Sequence, residues 1–306
     1  MSLAAWEIKF ASIRRTNLLQ SYDYARAICP FKNQRARWGL IHIDGKEAGM
    51  FQILEIGLFK NLVHVLQLDR GALWFEGFGS EEDNIAFFTA FAEAFPARFL
   101  RWRRILPELP DTISFRRTLQ DLGFKRFERP KYETIWLNIN KDEEVLRAQL
   151  KGKWRNRLNA AERAGFKIEW DWTGKDLPLL LTHYEADKIM KGFEGPSFSI
   201  LKALAKHFIS KRMMLIGTAT FGKEVCGIVL FFLHGTCATY QTGWASETGK
   251  KNSAHNILLW QASQILKNEG IKEIDLGGVN DESAAGVKLF KEGLGGESTT
   301  YIGQYY

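Results

Sequence analysis

Long apolar runs are missing from this chain of 306 residues. No segment approaches the roughly eighteen uninterrupted apolar residues that a membrane-spanning helix needs. A membrane span is excluded, although transient contact with a membrane surface is not. The first residues also lack the order of positive, apolar and small residues that marks a secretory signal, so the expected location is the cytoplasm. Cysteine is scarce: Cys29, Cys226 and Cys237 are all there is, which agrees with a reducing compartment. Cys226 and Cys237 fall on two strands expected to meet at a His234-Gly235 turn. That register sets Cys237 opposite Phe232 and leaves no disulfide between the two. The six histidines, at positions 42, 64, 183, 207, 234 and 255, are scattered without any metal-ligand spacing. No metal, cofactor or cysteine nucleophile is expected.

Positive charge and apolar residues are both plentiful. The net charge is +7 and hydrophobic residues make up 45%, enough for one large or two medium domains. Such a charge balance suits an anionic partner: nucleic acid, a nucleotide-linked precursor or a membrane surface. The basic residues form two sets. Arg98, Arg101, Arg103 and Arg104 flank one expected strand. Lys151, Lys153, Arg155, Arg157 and Arg163 crowd one expected helix, and are either a solvated face or an anion-binding one.

The order of expected elements repeats. EEDNIAFFTAFAEAF has acids in its first turn and helical apolar spacing; RFLRWRRI follows as a strand, TISFRRTLQDLGF as a helix stopped by Gly123, and KYETIWLNI as a strand. Later, SAHNILLWQASQILKNEG is an amphipathic helix, KEIDL a strand, GVKLFKEGLGG a short helix and TTYIGQYY a strand. Hairpin strands with DGK and FGKE turns precede each copy. Two similar α/β (α+β) units imply duplication, with domains expected over residues 1–145 and 146–306 and the last strand reaching back to the first domain. NKDEEVLRAQLKGKWRNRLNAAERAGF reads as one linking helix, capped by Asn140 with Glu143 reaching back and ended by Gly165. Leu146, Leu150, Trp154 and Leu158 form its apolar stripe.

Within GVKLFKEGLGG, Val287 and Phe290 share a face, and Lys291 lies beside Phe290. Tyr240 sits on a central strand, as a cleft residue or a buried structural one. Arg70 precedes the glycine turn that ends the first sheet and is an anion-binding candidate. Asp275 ends KEIDL just before Gly277-Gly278 and suits a cap of that turn, and His255 opens a helix as a base or a cap.

The element order resembles the acyl-CoA N-acetyltransferase (GNAT) fold used twice. LLQSYDYA, LDRGALW, TLQDLGFKRFE, KGKWRNRLNAAERAGFKIEW, YQTGWAS, IKEIDLGGVN, LFKEGLGGE and TTYIGQYY, in that order, are similar to pieces of the Fem family (FemABX). That family comprises aminoacyl-tRNA-dependent ligases that extend the peptide stem of peptidoglycan precursors. The resemblance implies that Lys291, of the Phe290-Lys291 pair, sits where the reacting ester carbonyl is held. A fixed ammonium there would stabilise negative charge on the carbonyl oxygen and then on the departing ribose oxygen. The partners implied are an aminoacyl-tRNA donor, which gives the basic helix a purpose, and a peptidoglycan precursor or another amine as acceptor.

SETGKKNSAHN, where acetyl-CoA users of this fold carry a glycine-rich pyrophosphate loop, has one glycine and no such spacing. The sequence also departs from the Fem pattern. Gly71-Ala72 stands for Gly-Pro, the Tyr240–Trp244 strand has one tyrosine, and the loop Phe193–Ser199 has neither the usual arginine nor tyrosine. YDYARAICPF lacks a lysine. The groups that would grip a muramyl peptide are thus largely unmatched. An acyl-CoA-dependent N-acyltransferase of polysaccharide or small-molecule metabolism is the second expectation, and a non-catalytic RNA- or precursor-binding module the third.

Overall fold

The computed structural model describes residues 2–128, 132–192, 195–279 and 285–306. The chain divides into two compact units, Met1–Glu133 with Thr299–Tyr306, and Thr134–Ser298. Among the described residues no helix is long and apolar enough to cross a membrane.

The first unit opens with α1 (Leu3–Ser12) and α2 (Tyr22–Lys32), capped by the Ser2 and Ser21 hydroxyls. Strands β1 (Arg35–Ile43) and β2 (Lys46–Leu58) form a hairpin. Its Asp44-Gly45 turn has φ of 50° and 75°, the left-handed pair that matches the twist of the flanking strands. β3 (Val63–Asp69), β4 (Leu73–Trp74), α3 (Glu81–Ala94), β5 (Arg101–Leu106) and α4 (Ile113–Asp121) follow. Ser80 and Asp83 close a capping box on α3, as expected of a helix with three acids in its first turn. The sheet runs β1-β2-β3-β5, with β4 on β2. Its parallel pair, β3 and β5, stays in register over six positions, from His64↔Arg101 to Asp69↔Leu106. Arg70 extends it by donating its N–H to the Leu106 carbonyl at 2.7 Å. Beyond β5, Ile105 and Tyr305 exchange backbone hydrogen bonds at 2.9 Å, so the chain's last residues serve as the closing strand. Phe87, Phe88, Phe91, Leu66, Leu68 and Ile105 fill the core between this sheet and its helices.

The second unit comprises β6 (Glu133–Asn138), α5 (Glu143–Gln149), α6 (Gly152–Arg163), β7 (Lys167–Asp171), α7 (Leu177–Lys191), α8 (Phe198–Ser210), β8 (Met214–Phe221), β9 (Glu224–His234) and β10 (Cys237–Ala245). It ends with α9 (Glu247–Lys251), α10 (Ala254–Asn268), β11 (Glu273–Gly278), α11 (Ala285–Glu292) and β12 (Glu297–Thr300). The sheet order is β12-β6-β11-β10-β9-β8-β7. Here too a helix, α10, joins the two parallel strands, β10 and β11, and an antiparallel strand closes beyond them. That strand is β6, which opens the unit in sequence. The duplicated α/β architecture is therefore present, with the first copy closed by the chain's last residues and the second by β6 at its own start.

Three local readings need correction. The linking helix is two helices, because Leu150 and Lys151 are extended (ψ 131° and 142°). The Lys151 N–H bonds to the Gly293 carbonyl at 2.9 Å, a tertiary partner that outweighs continuation through Gly152, a poor helix former. Asp142, not Asn140, occupies the N-cap. The stripe of Leu146, Leu150, Trp154 and Leu158 is nonetheless buried throughout. The turn between β9 and β10 is Gly235-Thr236, so Cys237 pairs with His234 and Phe232 with Thr239; none of the three cysteines is in a disulfide. The closing segment is not one strand: β12 ends at Thr300, and only isolated bridges at Tyr301 and Tyr305 follow.

Candidate active site

In the second unit the parallel pair β10 and β11 holds for only three positions, Cys237↔Glu273 to Thr239↔Asp275. Both strands then break register. β10 has an irregularity between Tyr240 and Thr242, and β11 one between Asp275 and Gly278. From Gly278 the backbone of β11 pairs with Thr134 of β6, while β10 continues along β9 to Ala245. The strands therefore part beyond Tyr240 and leave a wedge at their carboxyl ends, the position where open α/β sheets hold ligands. The matching pair of the first unit has no such opening.

Lys291 points into this wedge. It is only 7% exposed, and its Nζ donates to the Gly278 carbonyl at 3.0 Å and the Gly277 carbonyl at 3.4 Å. The Nζ also lies over the Tyr240 ring, 5.7 Å from its centroid, within cation–π range. Burial pushes the Lys291 ammonium down to a pKa of about 8, against an upward pull from the Asp275 carboxylate. Asp275 is itself fully buried. It accepts the Thr134 hydroxyl and the Gly277 N–H, so it caps the glycine turn as expected and also supports the cation electrostatically.

The helix carrying Lys291 is inverted with respect to apolar patterning. Leu289 is 68% exposed and Val287 is exposed, while the lysine is buried. Val287 and Phe290 therefore do not form the buried face; Phe290 and Lys291 do. Phe290 packs 6.0 Å from the Trp154 ring and 6.3 Å from that of His255. The approach of α6 to this helix depends on Gly293, where a Cβ would meet the Trp154 ring at 2.5 Å. Violation of a local rule by a well-packed residue marks functional sites more often than core.

Tyr240 is partly buried, and desolvation raises its phenol pKa, so it stands in the wedge as a neutral hydroxyl. Gly243 gives it room: a Cβ there would lie 2.4 Å from the Tyr240 hydroxyl and 3.2 Å from His255 Nε2. His255 Nε2 hydrogen-bonds the Trp244 carbonyl at 3.0 Å. Burial lowers its pKa despite the upward effect of that bond, which keeps the ring neutral. Further along β10, the His183 ring of α7 stacks on Trp244 at 3.6 Å. Sequence reasoning singles out Tyr240, Phe290, Lys291, Asp275 and His255 separately; the wedge brings them together. It misses Gly243 and the His183–Trp244 stack, for which a Gly-Trp pair on a central strand is the only local sign.

The basic residues of α6 do point outward. Lys151, Lys153, Arg155, Arg157 and Arg163 are exposed, opposite Trp154, Leu158 and Ala161. Lys151 is tied to Glu292 at 3.1 Å. Arg70 belongs to the first unit and differs in kind. It is buried in an ion pair with Glu108, its guanidinium 5.3 Å from the Tyr132 ring and 5.9 Å from that of Tyr301. Its charge is thus already met by a carboxylate. The loop Phe193–Ser199 is described only from Gly195 onward, and IKEIDLGGVN only to Val279. Among the described residues no group of carboxylates, histidines and cysteines could hold a metal.

Residues 147–289, a segment that includes β10 and β11 but ends before Phe290 and Lys291, match the model of the acetyltransferase (GNAT) domain family. No curated protein matches the chain significantly. The fold is similar to the crystal structure of FemX, with a TM-score of 0.76 at 15% identity, covering 100% of this chain and 95% of that one. It is also similar to a C-terminal domain of a putative lysylphosphatidylglycerol synthetase from Agrobacterium fabrum, with a TM-score of 0.52 at 13% identity over 99% and 92%. A tandem GNAT protein from the clavulanic acid biosynthesis pathway matches at 0.53 and 10% identity over 99% and 93%. Residues 147–289 thus match an acetyltransferase (GNAT) domain, and the whole chain has the tandem GNAT fold, similar to that of FemX.

Proposed function

We propose that the chain transfers an aminoacyl group from aminoacyl-tRNA to an amine, with a peptidoglycan precursor peptide as the acceptor class. The observation that carries this reading is the buried ammonium of Lys291 at the mouth of the wedge. A primary amine that attacks an aminoacyl ester builds negative charge on the carbonyl oxygen. When the tetrahedral intermediate collapses, the charge passes to the departing ribose oxygen. An ammonium fixed by two backbone carbonyls and a tyrosine ring is oriented before the charge appears, and in a dry site its effect is far larger than in water. With a pKa of about 8, Lys291 is also suited to pass a proton to that leaving oxygen at neutral pH.

The donor choice rests on charge and backbone. Lys153, Arg155 and Arg157 offer an exposed cationic face on α6 to tRNA phosphates. At the start of α10, where acyl-CoA enzymes cradle a pyrophosphate, this chain inserts α9. The Gly249 N–H is taken up by the Ser246 hydroxyl, and the Ser246 and Thr248 hydroxyls donate to the Glu224 carboxylate. A carboxylate at that spot repels a pyrophosphate. The name of the structurally similar lysylphosphatidylglycerol synthetase domain joins an aminoacyl group to a lipid, which supports aminoacyl transfer and says nothing of a peptide acceptor.

An acyl-CoA-dependent N-acyltransferase is the second reading, favoured by the acetyltransferase description of the domain over residues 147–289. The two separate by melting temperature, because a ligand that binds only the folded state must raise it. The favoured reading expects stabilisation by charged tRNA and none by acetyl-CoA. Stabilisation by acetyl-CoA alone would replace it with the second.

A further inference from the structure

We infer that the end of the first unit's sheet, made by the β2–β3 turn and the segment leading into β5, docks on an anionic membrane surface. The inference is independent of the role of Lys291. Phe59 and Leu62, in the turn, are 79% and 56% exposed, and Phe99 and Trp102, beside it, are 87% and 55% exposed. Register extends this apolar end along one sheet face, since Leu58 lies opposite Val63, Ile56 opposite Val65, and Val65 beside Trp102. Large apolar groups scattered singly on a surface carry no message, but a contiguous group does.

The tip is built rather than frayed. Arg98 donates to the Leu62 carbonyl at 3.0 Å and also to the Asn61 carbonyl, and the His64 N–H donates to the Leu100 carbonyl at 2.8 Å. The two segments are thereby one body. A Cβ on Gly57 would overlap the Asn61 side chain, so the turn needs that glycine. Phe59, Lys60, Asn61 and Leu100 all have φ between 50° and 66°, a region costly for bulky side chains and persistent only where the surroundings over-determine it. A turn selected only to be solvated would use glycine and asparagine at these positions, not phenylalanine and leucine.

Charge selects the occupant. Residues 57–63 and 96–104 together contain Lys60, Arg98, Arg101, Arg103 and Arg104 and no acidic residue. Asp69 neutralises Arg104. Burial and then the charge of Arg98 depress the Arg101 pKa, and burial and then Arg101 depress that of Arg103, so like charges crowd here. A second copy of the chain on this face would bring Lys60, Arg98 and Arg101 toward their own counterparts, which is repulsive. Phe59, Phe99 and Trp102 offer rings on which nucleobases could stack, but the exposed aliphatic Leu58 and Leu62 between them do not, and a lipid boundary uses both kinds of side chain. Aromatic and aliphatic tips surrounded by lysine and arginine match the boundary between lipid headgroups and acyl chains, where both terms favour binding.

The test is co-sedimentation of the full chain with phosphatidylcholine vesicles, with and without phosphatidylglycerol, at low and raised salt. The wild type should sediment with the anionic vesicles, less so as salt rises. A Phe59→Ser/Phe99→Ser double variant should lose about tenfold or more of its partitioning, with transfer to a soluble amine unchanged. A Lys153→Glu/Arg157→Glu variant should sediment like the wild type. Any of three results would overturn the inference: wild type remaining in the supernatant with anionic vesicles, equal sedimentation of the Phe59/Phe99 variant, or loss of vesicle binding from the α6 variant. Loss of tRNA binding by the Phe59/Phe99 variant with no vesicle binding in the wild type would assign the patch to RNA.

Discussion

The Nζ of Lys291 sits 5.7 Å above the centre of the Tyr240 ring, on the side where β10 and β11 part. One residue comes from the central strand and the other from a short helix some fifty positions later. Lys291 is buried and Tyr240 partly buried, where a charge and a hydroxyl need a reason to be. Burial of a lysine with backbone carbonyls as its hydrogen-bond partners is costly, and the cost is itself testable.

Lys291 in the folded chain titrates near 8, against an ordinary value of 10.5. Below pH 8 it is charged in both states, and its desolvation costs about 3 kcal/mol. Between about 8 and 10.5 the unfolded chain holds the extra proton, so stability from this group rises with pH. Lys291→Met should therefore melt at or above the wild type at pH 7. That advantage should shrink as the pH is raised through this window, in thermal melts of both proteins run in parallel. A variant destabilised at pH 7 with a pH-independent difference would mean that the lysine is not desolvated.

Asp275 pulls the Lys291 pKa upward. Asp275→Asn keeps the shape and removes the charge, so the ammonium should be lost at lower pH. The alkaline limb of the transfer rate should move down in pH, while the acid limb, set by the acceptor amine, stays in place. An unmoved alkaline limb would mean that Asp275 serves only as the cap of the glycine turn.

Gly243→Ala places a methyl 2.4 Å from the Tyr240 hydroxyl and 3.0 Å from the Ile228 carbonyl. Overpacking of this kind costs about 1–3 kcal/mol, and because Tyr240 must move, transfer should fall about tenfold or more. Denaturant melts and initial rates together check this; a variant with lowered stability and full activity would remove Tyr240 from the site.

The exposed cations of α6 are expected to meet phosphates. Lys153→Glu/Arg157→Glu should weaken tRNA binding and flatten its dependence on salt, by about one unit of logarithmic slope for each phosphate no longer neutralised. An unchanged slope would return this face to the status of a solvated helix surface.

Much of this architecture is legible in the sequence. The repeated helix-strand-helix-strand order, the acidic first turn of α3 and the glycine stop after α4 all follow local rules, and all occur, whereas the cap expected at Asn140 does not. The stripe from Leu146 to Leu158 is evident in the spacing although the helix break within it is not. That break at Leu150-Lys151 depends on a hydrogen bond to Gly293, more than 140 residues away, which no local pattern records. The site is harder. By spacing alone Lys291 looks like any helix lysine, and only the fold places its ammonium over the Tyr240 ring. The pattern inverts there, with Leu289 outside and Lys291 inside, so amphipathic reading points to Val287. Arg70 shows the converse. It stands out in the sequence as an anion-binding candidate, but its charge is met by Glu108, a partner 38 residues away that no spacing rule would identify.

The most direct test of the central claim is transfer of a labelled aminoacyl group from charged tRNA to an amine acceptor by the wild type, Lys291→Met and Lys291→Arg. If the ammonium stabilises the oxyanion, the methionine variant should bind donor normally and transfer about a hundred-fold or more slowly. The arginine variant should recover little, because a planar fork cannot take the place of a compact charge held by the Gly277 and Gly278 carbonyls. Wild-type rates in Lys291→Met, with binding and folding intact, would contradict the account.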